Sequence, residues 1–330
     1  MLNKDKILVI GAGGQIGVEL VSALRLIDGA DNVIASDLRM VDRFSVPGPF
    51  RVLDVMDRSA LVSLVMGEQV TCIYHLAAFL SASGEKQPMR AWELNMAGLL
   101  NVLEVCRDFG CRLFWPSSIA VFGPDAPKIM CGQEVALNPS TVYGISKVSG
   151  EMWCRYYFER YGVDVRSLRY PGLISHSVPG GGGTTDYAVD IFREAAAGNH
   201  YLCYLKPDTV LPMMYMEDAV MATIRLMGAP SSSISVRTSY NVAALSFAPR
   251  KLAEVIASMV QGFSVEYEPD FRQVIAESWP DFIDDSLASK DWNWQPHFDL
   301  ESMCKVMLDN LGVDVVAGSP VSSGFKGGIL

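Results

Sequence analysis

The sequence is short of histidine, paired cysteine, positive charge and long apolar runs, and each shortage removes a class of function. Four histidines occur in 330 residues, none at a spacing that two ligands of one metal would share, so no structural or catalytic metal is expected. The seven cysteines, at 72, 106, 111, 131, 154, 203 and 304, form no Cys-x-x-Cys pair and are odd in number. Thiols scattered in this way read as reduced, buried residues rather than a disulfide framework. Acidic side chains outnumber basic ones by 37 to 27, a formal net charge of -10, which argues against nucleic acid and anionic membrane surfaces as partners. An anionic cofactor stays open, because backbone N–H groups can hold phosphates. No stretch approaches the roughly 20 apolar residues needed to cross a bilayer. The first expected strand starts at residue 6, too early for a signal or transit peptide to precede it in this chain, although removal of one would leave the same start.

What is present is a large supply of core residues: 50% are hydrophobic, ample for an extensive buried interior. Through about residue 170, short apolar runs alternate with helical patterns. Strands are expected at 6–10, 32–37, 70–76, 112–116 and 163–169, and helices at 15–27, 58–67, 90–108 and 142–161. Strands alternating with helices imply crossover connections and a parallel sheet covered on both faces. The fold class is therefore α/β, a Rossmann-type doubly wound sheet. After Tyr170 the pattern changes to a Gly- and Pro-rich loop at 178–185, helices near 186–198, 217–227, 249–260 and 299–311, and a strand at 239–243. The expected division is a dinucleotide-binding domain at 1–175 with a returning segment near 216–245. A smaller, discontinuous substrate lobe takes 176–215 and 246–320, and a flexible tail 321–330.

Gly11, Gly14 and Gly17 follow the first strand and open the first helix. Gly11 allows the tight turn, Gly14 lets the backbone approach a pyrophosphate, and Gly17 permits close helix packing. The pyrophosphate then sits at the positive end of the helix, beside Gln15 and Ile16. Asp37 ends the second strand, 20 residues after Gly17, where a carboxylate accepts bonds from the adenosine ribose and would repel a 2′-phosphate. NAD is thus expected over NADP. Leu38 and Arg39 are assigned beside it, and Arg39 is the residue that would favour the phosphate instead.

Tyr143 and Lys147 stand four residues apart, one turn on one helical face. A phenol titrates near pH 10, too high for a base at neutrality. A nearby ammonium favours the phenolate, which can take a substrate proton as hydride leaves the same carbon. Ser117 and Ser118 end the fourth strand, where open α/β sheets build their sites. Ser117 is the favoured holder of the substrate oxygen and Ser118 the alternative.

Together with Asp54-Val55, His75-Leu-Ala-Ala78, Asn95-x-x-Gly98 and Tyr170-Pro-Gly172, these residues resemble the extended short-chain dehydrogenase/reductase family over nearly the whole chain. The resemblance places Asp54 and Val55 by the adenine, and Leu76, Ala77 and Ala78 along the cofactor. It makes Asn95 a support for the active-site helix and sets Tyr170, Gly172 and Leu173 by the nicotinamide. Lys147 would also bind the nicotinamide ribose.

The second half, chiefly the run from Gly180 through Thr184, Thr185 and Asp186 to Ala188, the stretches 211–219, 237–241 and 267–272, and Ser278-Trp279-Pro280 with Asp284 to Ser286, resembles one branch of that family. The branch oxidises the L-threonine side-chain alcohol to L-2-amino-3-ketobutyrate with NAD, and uses no zinc. The resemblance makes Ser81, Thr184, Thr185 and Asp186 candidates for the amino-acid groups, with Asp186 equally readable as a helix N-cap. Trp279 is either a pocket cover or core, and the glycine run a lid. The alternatives are a nucleotide-sugar epimerase or dehydratase of the same family, and a silent NAD(H) sensor. The resemblance also implies a homodimer through the helices near 90–108 and 142–161, and a ligase that takes the unstable ketone. It implies mitochondria if the source is eukaryotic and cytoplasm if bacterial.

Overall fold

The computed structural model describes residues 5–313; residues 314–320 of the expected lobe and the expected tail at 321–330 lie outside them. Strand β1 (Ile7–Ile10) is apolar and buried along its length. Ile7 and Val9 enter one core cluster while Leu8 and Ile10 enter another on the opposite face, as strand alternation requires. After β1 come α1 (Gln15–Asp28), β2 (Val33–Asp37), β3 (Phe50–Val52), α2 (Arg58–Glu68), β4 (Cys72–His75), α3 (Ser81–Lys86) and α4 (Pro88–Phe109). Then follow β5 (Arg112–Phe114), β6 (Ser117–Ser118), α5 (Val142–Tyr161), β7 (Val165–Arg166) and β8 (Leu168–Tyr170). Six strands form a parallel sheet in the order β3-β2-β1-β4-β5-β7, the doubly wound arrangement expected. The chain order reverses between β1 and β4, and the crevice beyond their carboxyl ends is where such sheets bind ligands.

The pairs Leu113↔Val165 and Ser117↔Arg169 share one register offset. So β5 and β6 are two parts of one strand, and β7 and β8 two parts of its neighbour. Pro116 lies at the break, and it has no N–H to give the ladder.

The remainder runs through β9 (Gly172–Ile174), α6 (Tyr187–Ala196), β10 (Tyr201–Cys203), β11 (Leu211–Tyr215), α7 (Met216–Gly228), β12 (Tyr240–Asn241) and β13 (Leu245–Phe247). It ends in α8 (Pro249–Met259), β14 (Val265–Tyr267), α9 (Arg272–Glu277), α10 (Ser286–Trp292) and α11 (Leu300–Asn310). Helix α7 packs on α1 and β12 pairs with β8, which returns the chain to the first sheet. A third core cluster joins α6, α8 and α11 to β9 and β11, with Trp279 among its members. The seven cysteines are all free and buried. Among the described residues no helix is long and apolar enough to cross a membrane.

Candidate active site

The glycine turn is shaped by contact. Gly11 has φ of +81°, and a Cβ there would lie 2.6 Å from the Ala77 nitrogen. A Cβ on Gly17 would lie 2.5 Å from the Gly11 carbonyl oxygen, so only glycine lets α1 leave the turn this closely. Gly14 holds the N-cap position of α1, where no side chain caps the helix and no acidic residue occupies the first turn. The free N–H groups and the dipole there suit an anion. Asp37 stands fixed beside the turn: one carboxylate oxygen accepts from the Gly13 N–H at 2.9 Å and the other from the Leu38 N–H at 2.8 Å. The role of Gly13 was not read from the sequence.

A cavity of about 700 Å³ runs from this turn into the crevice. Gly11, Gly14, Gln15, Ile16, Gly17, Leu76 and Ala78 line it. Ser117, Ser118, Tyr143, Lys147, Tyr170, Gly172 and Leu173 surround the middle. Asp37, Leu38, Arg39, Asp54, Val55, Ala77 and Asn95 are outside this lining. Leu38, Arg39 and Asp54 are exposed, whereas Val55 is buried in the core. Asn95 acts at one remove. Its amide takes the Phe79 N–H at 2.8 Å, gives to the Phe79 carbonyl at 3.2 Å, and gives to Ser146 of α5 at 3.1 Å. It ties the loop after β4 to α5. The Tyr170 hydroxyl is engaged with Thr223 in the core, so its ring alone forms wall.

Thr141 caps α5 by accepting the Gly144 N–H, which sets Tyr143 in the first turn. The Lys147 ammonium donates to the Pro116 carbonyl at 2.6 Å and lies 4.4 Å from the Trp115 ring centroid. Burial pushes the Lys147 pKa down to about 7 and the Tyr143 phenol up to about 12, the latter partly offset by a hydrogen bond with Ser118.

The two serines point differently. The Ser117 hydroxyl donates to a Glu151 carboxylate oxygen at 2.6 Å, and Glu151 is held by Arg169 through two bonds of 2.9 and 2.8 Å. The Ser118 hydroxyl accepts the Ala120 N–H at 3.2 Å and offsets part of the rise in the Tyr143 pKa. Both serines line the cavity, and the Ser117 proton is committed to a buried carboxylate. Glu151 and Arg169 were missed, although Glu151 falls one turn past Lys147 on the same face.

At the far end, Ser81 and Thr184 are buried with their hydroxyls 3.0 Å apart. Thr185 lies against Gly172. Asp186 holds the N-cap position of α6, as the N-cap reading places it, but its side chain makes no capping bond. Its carboxylate turns back and accepts from the Gly182 and Gly183 N–H groups, each at 2.8 Å, which shapes the glycine loop. Trp279 is both core and pocket wall; Lys128 holds its carbonyl oxygen at 2.5 Å.

A parallel sheet with a phosphate-holding glycine turn at its switch point, and a serine, tyrosine and lysine gathered beyond it, defines a nicotinamide-dependent enzyme of the extended short-chain type. The profile of the NAD dependent epimerase/dehydratase family matches residues 7–243, and the chain belongs to that family; its cofactor is NAD. It is similar to an uncharacterized epimerase/dehydratase of Staphylococcus aureus strain USA300, 47% identical over 307 residues, which cover 92% of this chain and 96% of the relative. The holo form of a GalE-like L-threonine dehydrogenase from Cupriavidus necator superposes with a TM-score of 0.91 at 54% identity, over 93% of this chain and 99% of that one. The apo form of a monomeric L-threonine 3-dehydrogenase from a metagenome gives 0.90 at 46%, over 92% and 98%.

Proposed function

We propose that this enzyme oxidises the side-chain alcohol of L-threonine to L-2-amino-3-ketobutyrate. The observation that carries the reading is the placing of Ser118, Tyr143 and Lys147 in one cavity with the small hydroxyl side chains of Ser81 and Thr184. The likeness to two L-threonine dehydrogenase structures supports it. Small polar walls suit a short hydroxy-amino acid better than a sugar diphosphate.

Ser118 holds the substrate hydroxyl and Tyr143 takes its proton. NAD, when bound, supplies the hydride acceptor. Lys147 lowers the cost of the phenolate by its charge and binds the nicotinamide ribose. Gly11, Gly14 and Gly17 hold the pyrophosphate with the N-terminus of α1, and Asp37 accepts from the adenosine ribose. Thr184 and Thr185 contact the amino-acid groups, Asp186 shapes the loop that carries them, and Trp279 excludes water from that end.

One assay tests the reading: NADH formation from NAD with L-threonine, set against serine, simple alcohols and UDP-galactose. Turnover restricted to threonine supports it, and no NADH with threonine overturns it.

A further inference from the structure

The buried charges beneath the tyrosine form a ladder. Tyr143, Lys147 and Glu151 follow one another at four-residue intervals on α5, so they share one face. Glu151 has no exposed surface, and Lys147 and Arg169 keep only 2% and 3%. Desolvating a carboxylate and a guanidinium together is costly, and an apolar pair of equal volume commonly gives the same stability or more. The Glu151–Arg169 pair is therefore poorly explained as a fold stabiliser. An apolar pair could not present an anion to Lys147, nor could it hold the Ser117 hydroxyl at 2.6 Å.

We propose that Glu151 is a positioning residue for the proton-handling pair: it keeps the Lys147 ammonium charged and, through Ser117, fixes β6 so that Ser118 meets Tyr143. This rests on the roles given to Tyr143 and Lys147 above. The groups around Lys147 leave the charge to Glu151. On α5 its neighbours are Tyr143, Glu151 and Cys154, and burial keeps the Cys154 thiol neutral. From β4 comes His75, held neutral by burial with a pKa near about 3. From β8 comes Arg169, already bonded to Glu151. Glu85 of α3 binds the exposed Val142 N–H at the helix start, and Glu104 of α4 binds Tyr157 at the far end. With Lys147 brought to about 7 by burial, the charge of Glu151, one turn further along α5, decides its state near neutrality.

The test compares full-length wild type, Glu151→Gln and Glu151→Asp. Each is measured for the pH dependence of kcat with threonine, and for the titration of Lys147 by NMR of 13C-lysine-labelled protein, assigned with Lys147→Arg. Loss of the carboxylate should move the alkaline limb of kcat, and the lysine titration, down by about one unit or more. KM for threonine should stay within about twofold, and Glu151→Asp should restore most of the limb. Should Glu151→Gln not fold, the paired Glu151→Met/Arg169→Met variant keeps the volume without charge and should show the same downward shift. An unshifted lysine titration overturns the proposal, as does a kcat profile that is merely scaled down. If wild type gives no NADH with threonine, the substrate reading fails while the lysine titration still decides this one.

Discussion

Ser118 offsets part of the rise that burial imposes on the Tyr143 phenol, while its neighbour Ser117 donates to Glu151. Both serines line the cavity, but the Ser117 proton is committed to Glu151, which leaves Ser118 for the substrate. Ser118→Ala should therefore lower kcat by about ten- to a hundredfold with little change in melting temperature. Ser117→Ala should instead cost about 1.5–3 kcal/mol of stability, the value of one bond to a charged group. Steady-state kinetics beside thermal unfolding separates the two; a larger kcat loss for Ser117→Ala would reverse the assignment.

Tyr143→Phe keeps the ring and removes the acceptor. The expected loss in kcat is about a hundredfold or more, with NAD affinity by fluorescence titration nearly unchanged. Near-normal turnover would remove Tyr143 as the base.

Asp37→Ala should weaken NAD by roughly tenfold or more, the worth of bonds to a carboxylate, and raise relative acceptance of NADP. Binding titrations with both cofactors check this. An unchanged ratio would show that Asp37 serves only the Gly13 turn.

Histidine 75 gives the protein an acid-sensitive interior. Its ring is 1% exposed with neither nitrogen bonded, and burial lowers its pKa from 6.5 to about 3. Between those values the unfolded chain binds a proton that the folded chain does not. The stability concerned is whole above pH 6.5 and declines as pH falls toward 3, by up to about 1.4 kcal/mol per unit. Denaturant unfolding at pH 8 and 5 should show a shallower fall in His75→Gln than in wild type; equal slopes would assign the acid loss elsewhere.

Helices α4 and α5 present Trp92, Trp153 and Tyr156 partly to solvent. We expect two copies to pair through this face and sediment as a dimer, with Trp153→Glu giving single chains. A wild-type mass of one chain would exclude the pairing, as would an unchanged mass for the variant.

The main sheet was legible because its strands are continuous apolar runs and its helices have clear periodicity. The expected strand at 163–169 divides into β7 and β8 with Ser167 between them. The strands β3, β9, β10, β13 and β14, of three residues each, were too short to show a period. The short helices α3, α9 and α10 were missed for the same reason. In the site, glycine spacing and the Tyr–Lys interval carried information because they depend on local geometry. A choice between adjacent serines is not set locally, since it depends on how a strand faces a helix that begins 24 residues later. Asp186 stands at the N-cap of α6 as its residue type suggests, while the loop's own N–H groups take the oxygen that a capping bond would use.

The concealment of all seven thiols has a practical reach. Burial raises the Cys72 pKa to about 12 and pushes Cys106 and Cys154 well above the ordinary thiol range, and reactive chemistry needs an accessible thiolate. A maleimide dye should therefore ignore the native chain. One cysteine introduced at exposed Gly181 would carry the only label, giving single-molecule fluorescence a reporter on the glycine loop without first stripping the protein of its own sulfur.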